Sequence, residues 1–185
     1  MRRFVLAFAC AACGGGSSRL ALALDGTVYG QSVAAVDAVS KVQTPFQSGS
    51  FADIFISNEP DVCGVISAAR LATNRQAIRI ALATRTDAGV SAPTAPGTYP
   101  VYSRSVEGPT RGNRATISYE LHDASCKKVR TADGISGSVA VLEVGSSGYA
   151  GTLDITFSDN AGHVSGTFST TPCAALRGNL DGICF

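Results

Sequence analysis

DGISGSVAVLEVGSSGYAGTLDITFSDNAGHVSGTFST, residues 133–170, is the stretch that decides the fold. Residues 152–158 within it alternate strictly between polar and apolar side chains, which is the pattern of a strand with one buried face. Residues 164–168 repeat the same alternation. The side chains predicted to point inward are Leu153, Ile155, Phe157, Val164 and Phe168.

Two short polar segments interrupt these strands. Residues 145–148 read GSSG and residues 159–162 read DNAG. Gly, Asn and Asp tolerate positive φ or hydrogen-bond their own backbone, so the chain reverses there at little cost. The segment therefore predicts two consecutive β-hairpins in an antiparallel meander, and we interpret 159–162 as a turn rather than a calcium site, because it lacks the acidic ligands of a calcium loop.

The rest of the chain shows more strand patterns, separated by loops rich in Gly, Ser, Asp and Pro. One helix is predicted at Pro60–Leu71, capped by Asn58 or Asp61, and residues 126–133 are predicted to connect to the meander. These patterns predict one all-β domain over residues 20–185, an antiparallel β-sandwich or barrel with one short helix. The predicted strands are Leu20–Leu24 (followed by an Asp25-Gly26 turn), Ser32–Val42, Phe51–Ser57, Ile78–Ala83, Gly97–Val101 and Ala115–Leu121.

Two residues in these strands carry expectations of their own. Phe51–Ser57 is apolar on both faces except at Asp53, so Asp53 needs a partner if it is buried. Tyr99 and Tyr119 are expected in the core.

Charge and length limit the classes of function. The 185 residues carry a formal charge of +1, and removal of Arg2 and Arg3 with an N-terminal segment leaves 13 basic against 14 acidic residues. A chain this close to neutral has no bulk attraction to nucleic acid or to anionic lipid. We therefore expect no nucleic-acid partner.

The N-terminus has the composition of an export signal. Two arginines are followed by the apolar run FVLAFACAA, residues 4–12, which is far shorter than the roughly 20 apolar residues of a membrane-spanning helix. An ordinary cleaved secretory signal and a buried N-terminal strand are the alternatives that composition alone leaves open.

Several motifs resemble a group of small lipoproteins of unassigned function from Gram-negative bacteria of predatory or soil type. The motifs are ACGGGSS at residues 12–18, GTYPV at 97–101, SGSVAVLEV at 136–144 and VSGTFSTTPC at 164–173. The resemblance implies a signal peptide over residues 1–12, lipidation of Cys13, and a Gly/Ser tether over residues 13–19. It also implies an outer-membrane address, facing the periplasm or the cell surface. Cys10 is the other cysteine that such a lipidation could use.

Four cysteines remain beyond the tether, and an even number in an exported chain predicts two disulfides. If successive strands are antiparallel, Cys63 and Cys173 lie at the same end of the sheet and Cys126 lies at the other end. This favours Cys63–Cys173, with Cys126 paired to Cys184 if the C-terminal residues cross the sheet. A local Cys173–Cys184 bridge and four reduced thiols are the alternatives.

Candidate catalytic residues are sparse. Glu120 and His122 share an outward face and could hold a metal or act as a base, but two ligands do not make a site, and polar alternation on a solvated face explains them. His163 or His122 could serve a hydrolase, which needs a geometry that sequence does not supply. We expect no metal and no cofactor.

The remaining candidates are aromatic. Tyr29, Tyr102 and Tyr149 are the tyrosines left to line a sugar or lipid site. The sequence favours a membrane-anchored, non-catalytic module that contacts an envelope protein or glycan, with ligand binding and then hydrolysis as alternatives.

Overall fold

The computed structural model describes residues 20–44, 49–69, 73–103 and 110–177. The predicted signal peptide and the whole predicted tether, with Cys10, Cys13 and Cys184, lie outside these residues. The described part contains one α-helix, α1 (Val62–Ser67), and twelve strands. The strands are β1 (Ala23–Val28), β2 (Gln31–Ser32), β3 (Asp37–Gln43), β4 (Phe51–Ser57), β5 (Gln76–Thr86), β6 (Gly89–Ser91), β7 (Gly97–Pro100), β8 (Gly112–His122), β9 (Lys128–Gly145), β10 (Gly148–Phe157), β11 (Gly162–Ser169) and β12 (Thr171–Pro172).

The strands form one curled sheet in the order β12-β3-β4-β5-β8-β9-β10-β11-β1-β2, with β6 beside β5 and β7 beside β9. Neighbouring strands are antiparallel except β12, which runs parallel to β3. The all-β fold with one short helix is confirmed. The β9-β10-β11 meander forms the two predicted antiparallel hairpins, with Ile155 opposite Val164 and Leu153 opposite Val139.

The main core lies inside the curl of the sheet. It contains the inward side chains of β4, β5, β8, β10 and β11, including fully buried Ile54, Ile80, Ile117 and Ile155. Tyr99 and Tyr119 are buried here as predicted, at 2% and 0% exposure. Burial of this apolar surface is the main contribution to the stability of the domain.

Glycines within the strands allow the backbone of a neighbouring strand to come close. Gly137 on β9 has φ +111°, and a Cβ there would lie 1.9 Å from the carbonyl oxygen of Asp154. Gly166 on β11 has φ +147°, and a Cβ would lie 2.1 Å from the carbonyl oxygen of Ala23. Only glycine fits such a position, which is typical of strands at the bend of a curved sheet.

A second, smaller apolar cluster lies on the outer face of the sheet. Helix α1 begins after Asp61, whose side chain accepts a hydrogen bond from the amide of Gly64 at 3.2 Å. The helix packs Val62, Val65 and Ile66 over Val39 on β3, and over Phe55 and Ala77. A layer therefore covers the outward side chains of β3, β4 and β5, which agrees with the apolar character of both faces of Phe51–Ser57.

The Cys63–Cys173 disulfide joins this helix to the segment that follows β11. The Cα atoms are 5.6 Å apart, and Cys173 is 2% exposed. This is the pair that the count of successive antiparallel strands favoured. The same count placed Cys126 at the other end of the sheet, and this is wrong, because β7 does not lie between β5 and β8. β5 and β8 are direct neighbours, so Cys126 lies at the same end of the sheet as the start of α1.

Cys126 is also disulfide-bonded, and its partner lies outside the described residues. The Cys126–Cys184 pairing therefore stays a prediction.

Several element boundaries differ from the sequence prediction; the predicted strand Ser32–Val42, for example, is replaced by two strands, β2 and β3. Residues 128–133 belong to β9 rather than to a connection, and they pair with the end of β8. Asp25 and Gly26 lie within β1, and the reversal comes at Tyr29-Gly30, both with positive φ. The helix ends at Ser67, earlier than predicted, and residues 70–72 lie outside the described part. Among the described residues no helix combines the length and the apolar character needed to cross a bilayer.

Candidate functional site

The three tyrosines proposed as a ligand platform contact different elements. Tyr29 follows β1, and its hydroxyl donates to the carbonyl oxygen of Thr131 at 2.5 Å, with the Arg130 guanidinium 5.2 Å from the centre of its ring. Tyr149 is 6% exposed at the start of β10, and its hydroxyl donates to the carbonyl oxygen of Pro93 at 3.4 Å. Tyr102 follows β7. The structure gives these tyrosines separate structural contacts and does not collect them on one platform.

Tyr149 lines a groove of about 90 Å³ beside the β9–β10 turn. Thr170 lies at its edge, where its amide donates to the carbonyl oxygen of Tyr149 and its hydroxyl bonds Ser40 at 2.8 Å. Because Thr170 and Ser40 are both buried and bonded to each other, they tie β3 to β10. Their hydroxyl groups are committed to the fold.

A charged cluster lies on the outer face at the end of β8. His122 was predicted to point into solvent, and this is wrong: its side chain is 8% exposed. The guanidinium Nη2 of Arg75 lies 3.2 Å from Nδ1 of the His122 ring, and Arg75 itself is 2% exposed. Glu120, on the same face, lies 3.8 Å from Arg75 and 3.4 Å from Nζ of Lys128.

The cluster favours a neutral His122. Burial lowers the pKa of His122, and the adjacent positive charge of Arg75 lowers it further. Burial also lowers the pKa of Arg75. Two protonated groups this close would repel each other, so the neutral ring is the form compatible with the packing. Within the described residues, no three His, Cys, Asp or Glu side chains are grouped so that they could hold a metal ion.

Asp53 is buried and has a partner, Arg79, as expected from the sequence. Its carboxylate is 0% exposed and accepts two hydrogen bonds from Arg79, at 2.8 and 2.6 Å. Gln43 donates a third at 3.3 Å. Arg79 and Gln43 also donate to the carbonyl oxygens of Arg177 and Leu176, so this ion pair holds the segment after Cys173 on the sheet.

His163 at the start of β11 is the second histidine, and it is exposed. Its Nε2 lies 3.1 Å from Oδ1 of Asp154 on β10, and its side chain is 50% exposed. Within the described residues Asp154 is the one hydrogen-bond partner of its ring, and no hydroxyl or thiol is hydrogen-bonded to the ring. The arrangement has the base and its orienting carboxylate, but a hydrolase also needs a nucleophile within reach of the base.

An open depression of about 470 Å³ adjoins His163. Its wall is the β10–β11 turn, where Asp159 and Asn160 are both left-handed, with φ +55° and +52°. Ile135 of β9, which is 45% exposed, lines the depression as well. Sequence reasoning missed Ile135, although an isoleucine between Gly134 and Ser136 on an outward position is the signal that could have drawn attention to it.

No family model, curated protein or solved structure matches this chain. Functional inference therefore depends on the side chains described above and on the N-terminal sequence. Of the sites described above, the depression at His163 is open to solvent and is lined by the exposed polar side chains of Asp159 and Asn160.

Proposed function

We propose that this chain is a lipid-anchored protein of the bacterial cell envelope, attached through Cys13, whose β-domain is a non-catalytic interaction module. The observation that carries the proposal is the Cys63–Cys173 disulfide, which closes the helix onto the segment after β11. Disulfides persist in oxidising compartments such as the bacterial periplasm and are rare in the cytosol. Together with the basic and apolar start of the chain, the bridge supports export.

The distribution of polar groups supports an interaction role. The buried charged groups Asp53 and Arg75, and the partly buried Arg79 that pairs with Asp53, hold structural elements together. The polar groups that remain accessible include those of the β10–β11 turn and the start of β11. Function on such a scaffold belongs to the surface that is left free by the fold.

The test uses metabolic labelling with an alkyne-tagged fatty acid in a Gram-negative host, followed by fractionation of membranes. The wild-type chain should carry the label and sediment with the membrane fraction. Cys13→Ala should lose both properties, and the matched control Cys10→Ala, three residues away, should keep them. An unlabelled wild-type chain in the soluble fraction, or a label that survives Cys13→Ala, would contradict anchoring at Cys13.

Ligand binding is the second candidate function, and the depression beside His163 is the observation that favours it. A ligand that binds only the folded chain raises its thermal midpoint in proportion to occupancy. A thermal-shift screen of sugars and lipids against the full chain tests this. A midpoint that does not move with any of them would remove this candidate.

A further inference from the structure

We propose that the depression formed by β9, the β10–β11 turn and the start of β11 binds an uncharged glycan. This inference deepens the ligand-binding candidate and names its ligand class. It does not depend on the lipid anchor, because every residue that carries it lies in the folded domain.

The turn that forms one wall is fixed in place before any ligand arrives. The amide of Ala161 donates to the carbonyl oxygen of Ser158 at 2.9 Å, and the amide of Asp133 donates to the Ser158 hydroxyl at 3.3 Å. From the opposite side, the amide of Tyr29 donates to the carbonyl oxygen of Ala161 at 2.6 Å. A wall held from β9 and from β1 costs little entropy to order when a ligand binds.

The left-handed backbone at Asp159 and Asn160 is a position that few residues adopt without cost. Asx residues tolerate it better than most, so turn formation alone accounts for their presence. Both side chains are nevertheless exposed and line the depression. An amide that both donates and accepts, beside a carboxylate that accepts, is the set of groups that pairs with neighbouring sugar hydroxyls.

His163 adds an oriented group to this wall. The Asp154 carboxylate only accepts hydrogen bonds when ionised, so Nε2 of His163 carries the proton that it donates. The other ring nitrogen, Nδ1, makes no hydrogen bond within the described residues and is left for a ligand. Because Asp154 fixes the ring from β10, Nδ1 is presented in one direction rather than many.

The charge and the apolar part of the lining decide the ligand class. Asp159 lines the depression and Asp154 lies directly behind His163, whereas no lysine or arginine is among the described residues that line it. Anionic ligands such as uronates or phosphorylated lipid headgroups are therefore disfavoured. The exposed face of Ile135 matches the C–H face of a sugar ring, and the open shape suits an extended chain of sugars better than a small enclosed ligand.

The test is an NMR titration of the ¹⁵N-labelled full chain with three neutral oligosaccharides: cellohexaose, maltohexaose and N-acetylchitohexaose. Oligogalacturonate is the anionic comparison. We expect at least one neutral oligosaccharide to produce saturable shifts at the amides of Ile135, Asn160 and Gly162, and oligogalacturonate to produce none.

The variants separate the site from the fold. Asn160→Gly removes the side chain and keeps a residue that accepts φ +52°, so it should fold normally and weaken binding about tenfold, the size of one lost hydrogen bond. His163→Ala should weaken it similarly. Ser165→Ala, two residues further along β11, is the matched control and should bind as the wild type does.

Three results would overturn the inference. One is the absence of saturable shifts with all three neutral oligosaccharides. Another is equal binding of oligogalacturonate, and the third is binding that survives both Asn160→Gly and His163→Ala. None of them affects the labelling test at Cys13, so failure of the glycan site and failure of the anchor are distinguishable.

Discussion

Removal of the Cys63–Cys173 bridge should strongly destabilise the domain. The bridge closes 110 residues of sequence, from α1 to the segment after β11, and so restricts most of the unfolded chain. Chain-entropy reasoning gives about 4.8 kcal/mol for a loop of this length, and native disulfides typically contribute about 2–5 kcal/mol. We therefore expect the double variant Cys63→Ala/Cys173→Ala to lose about 3 to 5 kcal/mol in the free energy of unfolding.

Urea unfolding of the oxidised wild type and of the double variant, followed by circular dichroism, measures this loss. Hydrogen exchange then separates two origins of it. If the bridge acts on the unfolded state, core amides such as those of Ile80 and Ile155 lose protection by the full amount, because they exchange through global unfolding. A loss below about 1 kcal/mol, or one confined to amides near Cys173 and Leu176, would refute the reasoning.

Three further predictions concern buried polar groups. Tyr119→Phe should leave stability unchanged or raise it by up to about 1 kcal/mol in thermal unfolding, because within the described residues its buried hydroxyl has no hydrogen-bond partner; a loss above about 1 kcal/mol would contradict this. Asp53→Ala should cost about 3 to 5 kcal/mol in urea unfolding, because it removes the fully buried carboxylate that pairs with Arg79 and accepts from Gln43, and a change within about 0.5 kcal/mol would contradict this. Because the pKa of His122 is lowered in the folded state, the unfolded state takes up this proton at a higher pH than the folded state does. Stability should therefore fall as the pH drops below 6.5 towards the folded-state pKa. The urea midpoint should depend less on pH over that range in His122→Phe, and an unchanged slope would contradict this.

Alternation along the chain predicted most of the strands, because the sequence of each strand shows which of its two faces is buried. Phe51–Ser57 has the bounds of β4, and the two hairpins of the meander are in place. The same signal is silent on what covers the other face. His122 alternates as an outward residue, and it is buried because Arg75, from the chain before β5, packs against it.

Position in the sheet could not be read from the order of strands along the chain. β7 pairs with β9 rather than lying between β5 and β8, so a count of successive strands put Cys126 at the wrong end. Strand glycines such as Gly137 and Gly166 interrupt the alternating pattern because the backbone of the neighbouring strand leaves no room for a Cβ. Tyr29, Tyr102 and Tyr149 were grouped by residue type alone, which says nothing about position in the sheet, and they lie on separate elements.

Intact-mass and peptide mass spectrometry of the protein isolated from bacterial envelopes tests the central proposal most directly. We predict a mature chain that begins at Cys13, carries acyl chains on that residue, and yields a Cys63–Cys173 linked peptide that separates on reduction. A mature chain with no acyl group, or with Cys63 and Cys173 as free thiols, would contradict the proposal of an anchored envelope protein.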